Sequence, residues 1–501
     1  MDVFSSLVLG LQTAIGLQNL LYCFIGVALG TAVGVLPGLG PVTTIAMLLP
    51  LTFGLPPVGA LIMLAGIYYG AQYGGSTTAI LVNMPGEASS VVTTLDGYQM
   101  ARQGKAGRAL ATAAIGSFFA GTVATLVIAL FAPPLAEVAL TFGPAEYFSL
   151  MVLGLVAAVV LAHGSLLHAF GMVLIGLLLG ISGTDVNSGA TRFTFGLPDL
   201  GDGIGFVAVA MGLFGVGEII ANLERGTAGQ ESVENIDRLM PTRDDWKRIV
   251  GPILRGTALG SLLGILPGGG ALLAAFGAYT LEKKLSKTPG EFGRGAIEGV
   301  AAPESANNAG AQTSFIPMLT LGIPSNPTMA LMVGAMIIQG IQPGPSVMVE
   351  QPELFWGLIV SMWIGNLMLL VLNLPLIRLW VLMIRFPYQF LYPAIILFCA
   401  IGAFSLNNSH FDVYVLAVFS LLGYLFLKLD AEPAPLLLAF VLGPMMEEFL
   451  RRALLISRGD PLVLISRPVS AAMLIIAAAL VVMIVFPALR QTREKAFQEK
   501  D

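Results

Sequence analysis

Lysine and arginine are missing from the first 101 residues, and Arg102 is the first basic side chain in a chain of 501. Without a basic segment ahead of the first apolar run, no cleavable leader is expected. Charge is scarce throughout: 11% of residues are charged against 56% hydrophobic, and the mean hydropathy is +0.84. Such a composition excludes a water-facing globular surface. The net charge of -5 and a pI near 5.4 exclude nucleic acid as a partner. Cysteine is nearly absent. Cys23 and Cys399 lie in apolar segments with no Cys or His at ligand spacing and are expected as small core residues. His163, His168 and His410 are scattered, so no metal site is expected. No GxxxxGK[ST] segment is present, which argues against nucleotide-driven work.

What the chain does have is apolar runs, at 109–131, 147–162, 355–374, 411–427 and 469–486 among others. Runs of about 17 to 25 residues cross hydrocarbon as helix, and roughly a dozen crossings or part-crossings are expected. They are continuously apolar, without the alternation of lipid-facing strands, so helices are implied and a barrel is not. The predicted fold is an all-α polytopic membrane protein with two inverted-topology repeats, re-entrant helical hairpins and discontinuous helices, in roughly 10–12 transmembrane segments.

The repeat is visible in the letters. "ALGTAVGVLPGLG" (28–40) superposes on "ALGSLLGILPGGG" (258–270) without a gap, Pro37 on Pro267 at an offset of 230. "GAQYGGSTTAILVNMPGE" (70–87) pairs with "GAQTSFIPMLTLGIPSN" (310–326), Gln72 on Gln312, and Pro85 meets Pro324 after one deletion. This divides the chain into a first membrane repeat (1–222), a linker (223–247), a second repeat (248–450) and a C-terminal connection with a last helix and tail (451–501). The linker region carries Arg225, Arg238, Arg243, Lys247 and Arg248, which places it on the cytoplasmic side and the chain start outside. The helix leading to Pro37 then enters from outside and that leading to Pro267 from inside, so the halves are inverted. After "GILPGGG" only about 11 apolar residues precede Lys283, Lys284 and Lys287, too few to cross, so this segment is expected to return as a hairpin.

Irregular backbone at membrane depth is tolerated where it is buried in protein or lines a cavity, and paired breaks in inverted halves point to a transport site. Helix ends freed by a break present N–H groups and a positive dipole end, which hold a carboxylate without Lys or Arg. The nearest basic candidate at depth is Arg255, twelve positions before Pro267. The expected substrate-binding residues are therefore Pro37, Gly38, Gly40, Asn83, Pro85, Gly86, Pro267, Gly268, Gly269, Gly270, Asn307, Asn308, Pro324 and Ser325. Glu87 and Glu304 are carboxylates at depth and the candidates for ion coupling, by a proton or by Na⁺. Asp96 and Arg102 in "LDGYQMARQGKAGR" read as a cytoplasmic amphipathic turn outside the site. "GTDVNSGATRFTFGLPDLGDG" (183–203) reads as a polar connection in which Asp185 and Arg192 pair. No acid–base pair suited to catalysis stands out, so an enzyme is not expected. A channel, or an intramembrane enzyme acting on a small anionic metabolite, is the alternative; a channel should show a continuous polar ring instead of paired breaks.

"GVLPGLGPVTTIAMLLPLTFGLPP", "YYGAQYGGSTTAILVNMPGEASSVVTTLDGYQMARQGKAGRAL", "FGRGAIEGVAAPESANNAG" and "IPMLTLGIPSNPTMALMVGAMIIQGIQPGP" together resemble the large membrane subunit of the tripartite tricarboxylate transporters. The resemblance covers nearly the whole chain, through "RRALLISRGD" (451–460). It implies a bacterial inner-membrane secondary transporter, with no cofactor beyond a coupling Na⁺ or H⁺. It also implies two partners: a small four-helix membrane subunit, and a periplasmic binding protein that delivers an organic anion. The implied substrates are di- and tricarboxylates and aromatic acids. Pro37 to Gly40, Pro85 to Glu87, Pro267 to Gly270, Asn307, Asn308 and Gly322 to Pro324 carry over from the family pattern. The chain departs from it at Ser325, where Gly is expected, and at "GAQTSF" before Ile316.

Overall fold

In lipid every backbone N–H and C=O has to be satisfied within the protein, so continuous apolar runs become helices. The computed structural model describes residues 3–36, 39–162, 165–185, 188–225, 238–266, 270–384 and 388–485. Among them, six helices are long and apolar enough to cross a membrane: Leu17–Gly34, Ala106–Ala139, Pro144–Leu161, Phe206–Glu224, Pro352–Asn373 and His410–Lys428. Shorter apolar helices, among them Val3–Ala14, Pro41–Thr52, Leu166–Gly180 and Pro327–Ile338, pack around these. The one strand pair among the described residues joins Gly183–Thr184 to Thr191–Arg192. The chain is an all-α polytopic membrane protein.

Two long seams of glycine hold the interior together. Gly26, Gly30 and Gly34 of helix 17–34 lie on the backbone of Met63, Ile67 and Ala71 in helix Pro57–Val82, where a methyl would fall on a carbonyl oxygen each time. Gly66, Gly70 and Gly74 answer from the other side against Val27, Thr31 and Val35. Helix association in lipid depends on such close approach, because burial from water supplies no drive there. The contact recurs in the second half: Gly256 and Gly260 of helix Arg243–Leu263 and Gly264 at its C-cap lie on Ala302, Ala306 and Gly310 of helix Glu298–Thr313. The glycines repeat at an offset of 230, their partners at 239, one less than the sequence match of Gln72 with Gln312. Gly260→Leu is expected to force this seam apart, at a cost of about 1–3 kcal/mol or more. The loss should be visible as a smaller monodisperse fraction on size exclusion in detergent. Gly171→Leu is the control, since nothing lies within 4 Å of that position; equal behaviour of the two variants would refute the seam.

All four expected interruptions of the helices are present. Helix 17–34 stops and the chain resumes helically at Pro41; helix 243–263 stops and resumes at Gly270. Pro37, Gly38, Pro267, Gly268 and Gly269 lie outside the described residues. Helix 57–82 ends on Asn83 in the left-handed region (φ 56), and helix Phe315–Leu321 ends on Gly322 (φ 72). Asparagine takes the glycine role at the first of these ends. The chain resumes at Ala88 and at Pro327, the latter capped by Asn326, whose side chain accepts from Met329 N at 2.9 Å.

Helix Gly270–Leu285 folds back along helix 243–263: Gly270 meets Gly264, and Gly277 meets Leu259. Arg255 forks onto Glu282 across this hairpin at 2.6 and 2.8 Å, so its charge is committed. The matching segment of the first half does not fold back. Helix 41–52 leaves helix 17–34, with the Thr43 hydroxyl 2.6 Å from Phe214 O and 2.7 Å from Glu218 Oε2 of helix 206–224. The first hairpin is therefore open where the second is closed.

The expected pairing of Asp185 with Arg192 is corrected. Asp185 accepts from Arg451 at 2.8 and 3.1 Å, and Arg192 forks onto Glu447 at 2.7 and 3.0 Å. Glu447 and Arg451 stand one turn apart on helix Ala434–Ile456. They offer complementary charge to both loop residues, which outcompetes a bond within the loop.

Candidate functional site

Three glycines let the first broken stretch reach the interior. Gly86 sits against Gly75 of helix 57–82 and the carbonyl of Gly34, its N–H donating to Gly75 O at 3.4 Å, and Gly40 faces Gly86 O. Side chains at 75 or 86 would hold the segments apart. Asn83 and Pro85 stay exposed at the rim, while Gly86 and Glu87 turn inward.

Glu87 opens a short helical turn, Ala88–Ser90, and its carboxylate accepts from the Ser89 hydroxyl. Ser89 also lies 3.3 Å from Gln72 Oε1. One turn along helix 57–82, Ser76 donates at 2.6 Å to Oε2 of Glu304, and the Thr93 hydroxyl donates to Oε1. Glu304 is wholly buried on helix 298–313, and Glu87 lies near enough for the two carboxylates to repel. A carboxylate so placed requires hydroxyl donors on both oxygens.

Asn308 is spent on structure: its Nδ2 lies 2.7 Å from Ser117 Oγ, 3.0 Å from Glu304 O and 2.6 Å from Asn307 Oδ1. This orients the neighbouring amide. Asn307 Nδ2, fully buried, is aimed at the Glu304 carboxylate without reaching full hydrogen-bond geometry. Gln312 Oε1 and Tyr69 Oη are likewise buried and unpartnered. Buried polar groups are nearly always paired, so such atoms mark where a ligand or water completes the set.

The second break closes on the same region. Tyr68 Oη faces Gln72 on its own helix, Ser314 and Asn326 at the second break, and the Glu87 carboxylate. Ser325 donates to Ser314 O at 3.3 Å. Positions 314 and 325 stand 239 beyond Gly75 and Gly86, so the same two positions meet in both halves, with the Ser325 hydroxyl donating where the Gly86 N–H does in the first. Pro324 and Gly270 are buried with them.

Sequence reasoning passed over Asp96. It is wholly buried, and its carboxylate accepts from Tyr279 Oη at 2.9 Å and from the backbone N–H of Gly293, Gly295 and Ala296 at 2.9, 2.8 and 2.8 Å. Gly293 and Gly295 have φ of 81 and 104, which turns successive N–H groups toward one point and makes an anion nest. The glycine pair in "FGRGA" was the available signal. Ser76, Thr93 and Ser117 were missed too, because hydroxyls inside apolar helices are common and usually bond their own backbone.

Helices long and apolar enough to cross a membrane, with two backbone breaks closing on a buried polar cluster, define a polytopic membrane protein. The model of the tripartite tricarboxylate transporter TctA family matches residues 20–438, and the chain belongs to that family. It is 60% identical over 501 residues to an uncharacterized 52.8 kDa protein in the TAR-I ttuC' 3'region of Agrobacterium vitis, covering all of both chains. It is also 60% identical over 242 residues to an uncharacterized protein in the TAR-II ttuC' 3'region of the same organism, which spans 48% of this chain and 100% of that relative. No solved structure matches. The chain is thus a multi-pass membrane component of a tripartite transport system.

Proposed function

We propose that this chain is the large membrane subunit of a binding-protein-dependent secondary transporter importing a tricarboxylate or related organic anion across the bacterial inner membrane. Its partners are a small four-helix membrane subunit and a periplasmic substrate-binding protein. The two halves work as inverted repeats in alternating access, a reading supported by the recurrence of the glycine seams and of both breaks. The observation that carries it is the buried Asn307 amide, aimed at Glu304 without a geometrically complete hydrogen bond. A substrate carboxylate accepts from Asn307 Nδ2 and from the helix ends at the Gly-rich turns. It cannot settle next to two ionised carboxylates, so a cation, Na⁺ or H⁺, has to neutralise Glu304 or Glu87 first. Coupling follows from that repulsion.

The test is uptake of labelled carboxylates by vesicles holding both membrane subunits and supplied with the binding protein, under imposed proton or Na⁺ gradients. Asn307→Ala should reduce uptake roughly 10- to 100-fold, the equivalent of a hydrogen bond to a charged group at about 1.5–3 kcal/mol. Uptake at the wild-type rate would remove Asn307 from the site, and equal accumulation without any gradient would reduce the protein to a channel.

A further inference from the structure

Beside Glu304, helices 57–82, 106–139 and 352–373 leave a small cavity of about 10 Å³, room for one ordered water. The walls include Tyr73, Ser76, Thr77, Ala113, Ser117 and Asn373. Two of these hydroxyls reach Glu304: Ser76 donates to Oε2 of the carboxylate, and Ser117 lies 3.4 Å from the backbone carbonyl. Tyr73 Oη is already spent on Asn366 Oδ1 at 2.7 Å. Asn373 Nδ2 donates to Leu369 O at 2.9 Å, which leaves Oδ1 buried without a partner. A buried acceptor on the wall of a void that fits one water calls for a donor there.

We infer that this void holds a water through which Glu304 exchanges protons with the aqueous phase at the end of helix 352–373, by a path separate from the substrate cluster. The inference rests on the transporter reading and deepens it: the coupling ion is the proton, and Glu304 carries it. The proton arrives on the water held by Asn373 Oδ1 and is taken by Ser76 Oγ as the Ser76 proton passes to Glu304 Oε2. One proton enters the chain and one neutralises the carboxylate, with no other bond made or broken. The charged and titratable groups around Glu304 are otherwise engaged. Tyr73 bonds Asn366, Asp96 is held by Tyr279 and its nest, Arg255 is held by Glu282, Glu298 is held by Arg248, and Arg108 lies 3.7 Å from Asp245. Glu87 remains as the charged neighbour inside the cluster.

The test is infrared difference spectroscopy on the full chain in lipid nanodiscs, following the protonated carboxyl band that Glu304→Gln removes. That band should titrate with pH at fixed Na⁺, and its hydrogen–deuterium exchange should slow at least tenfold in Asn373→Leu. Ala113→Leu, which fills the void from its apolar wall without removing a polar group, should slow it likewise and guards against a folding defect in the first variant. A band that responds to Na⁺ at fixed pH, or wild-type exchange in both variants, overturns the proposal. Because this readout needs no transport, its failure is distinct from a failure of wild-type vesicles to take up any carboxylate.

Discussion

Asp96→Ala is expected to destabilise the fold by about 3 kcal/mol or more, because it strands Tyr279 Oη and the N–H of Ala296 in the interior and empties the nest at Gly293 and Gly295. The carboxylate ties the turn after the first break to the closed hairpin and to the loop entering helix 298–313. Asp96→Asn keeps one acceptor oxygen and should lose less. The check is thermal unfolding of the purified protein in detergent, with the order wild type, Asn, Ala in melting temperature. A melting curve unchanged in Asp96→Ala would show that the nest is filled without this carboxylate. Gly299→Ala offers a second route to the same place, since its methyl would land on Asp96 Oδ2.

Glu304→Gln should abolish gradient-driven accumulation, lowering uptake by two orders of magnitude or more while the protein still inserts and folds. Glutamine has nearly the same shape, and its amide oxygen still accepts from one of the two hydroxyls now on the carboxylate. What is lost is the charge and the proton that cancels it. Loss of inserted protein would instead assign Glu304 to folding, and full accumulation in the variant would remove it from coupling altogether. Glu87→Gln is expected to be milder, for Glu87 is 8% exposed where Glu304 is at 0%.

The parts of this molecule written in local pattern could be read directly. Apolar length predicted the helices, and the repeated Pro-Gly turns marked where helices stop, because both depend on a few neighbouring residues. The seam glycines 26, 30, 34 and 256, 260, 264 stand at helical spacing in the letters themselves. What could not be read depends on distant partners. Asp96 finds Tyr279 and Ala296 at separations of 183 and 200 residues, so a charged turn on paper becomes an interior anchor. Asp185 and Arg192 look like a local pair until helix 434–456 brings Arg451 and Glu447 beside them. The opening of the first hairpin likewise turns on Thr43 meeting helix 206–224, a contact no window around residue 43 contains. In the site, the carboxylates were visible as expensive residues at depth, but Ser76 and Thr93, which make Glu304 tolerable, carry no mark in an apolar run.

A glycine seam welds two backbones so closely that neither can slide alone. Helices 17–34 and 57–82 therefore form one closely packed plank, and helices 243–263 and 298–313 another. Glu304 rides on the second plank, whereas Ser76 belongs to the first and Thr93 to the segment that follows it. A charged Glu304 accepts from both hydroxyls and glues the planks together; a neutral one turns an acceptor into a donor and makes one hydroxyl reverse. The charge on one carboxyl group thereby adjusts part of the adhesion between the halves, beside the fixed ties at Asp96 and Tyr73.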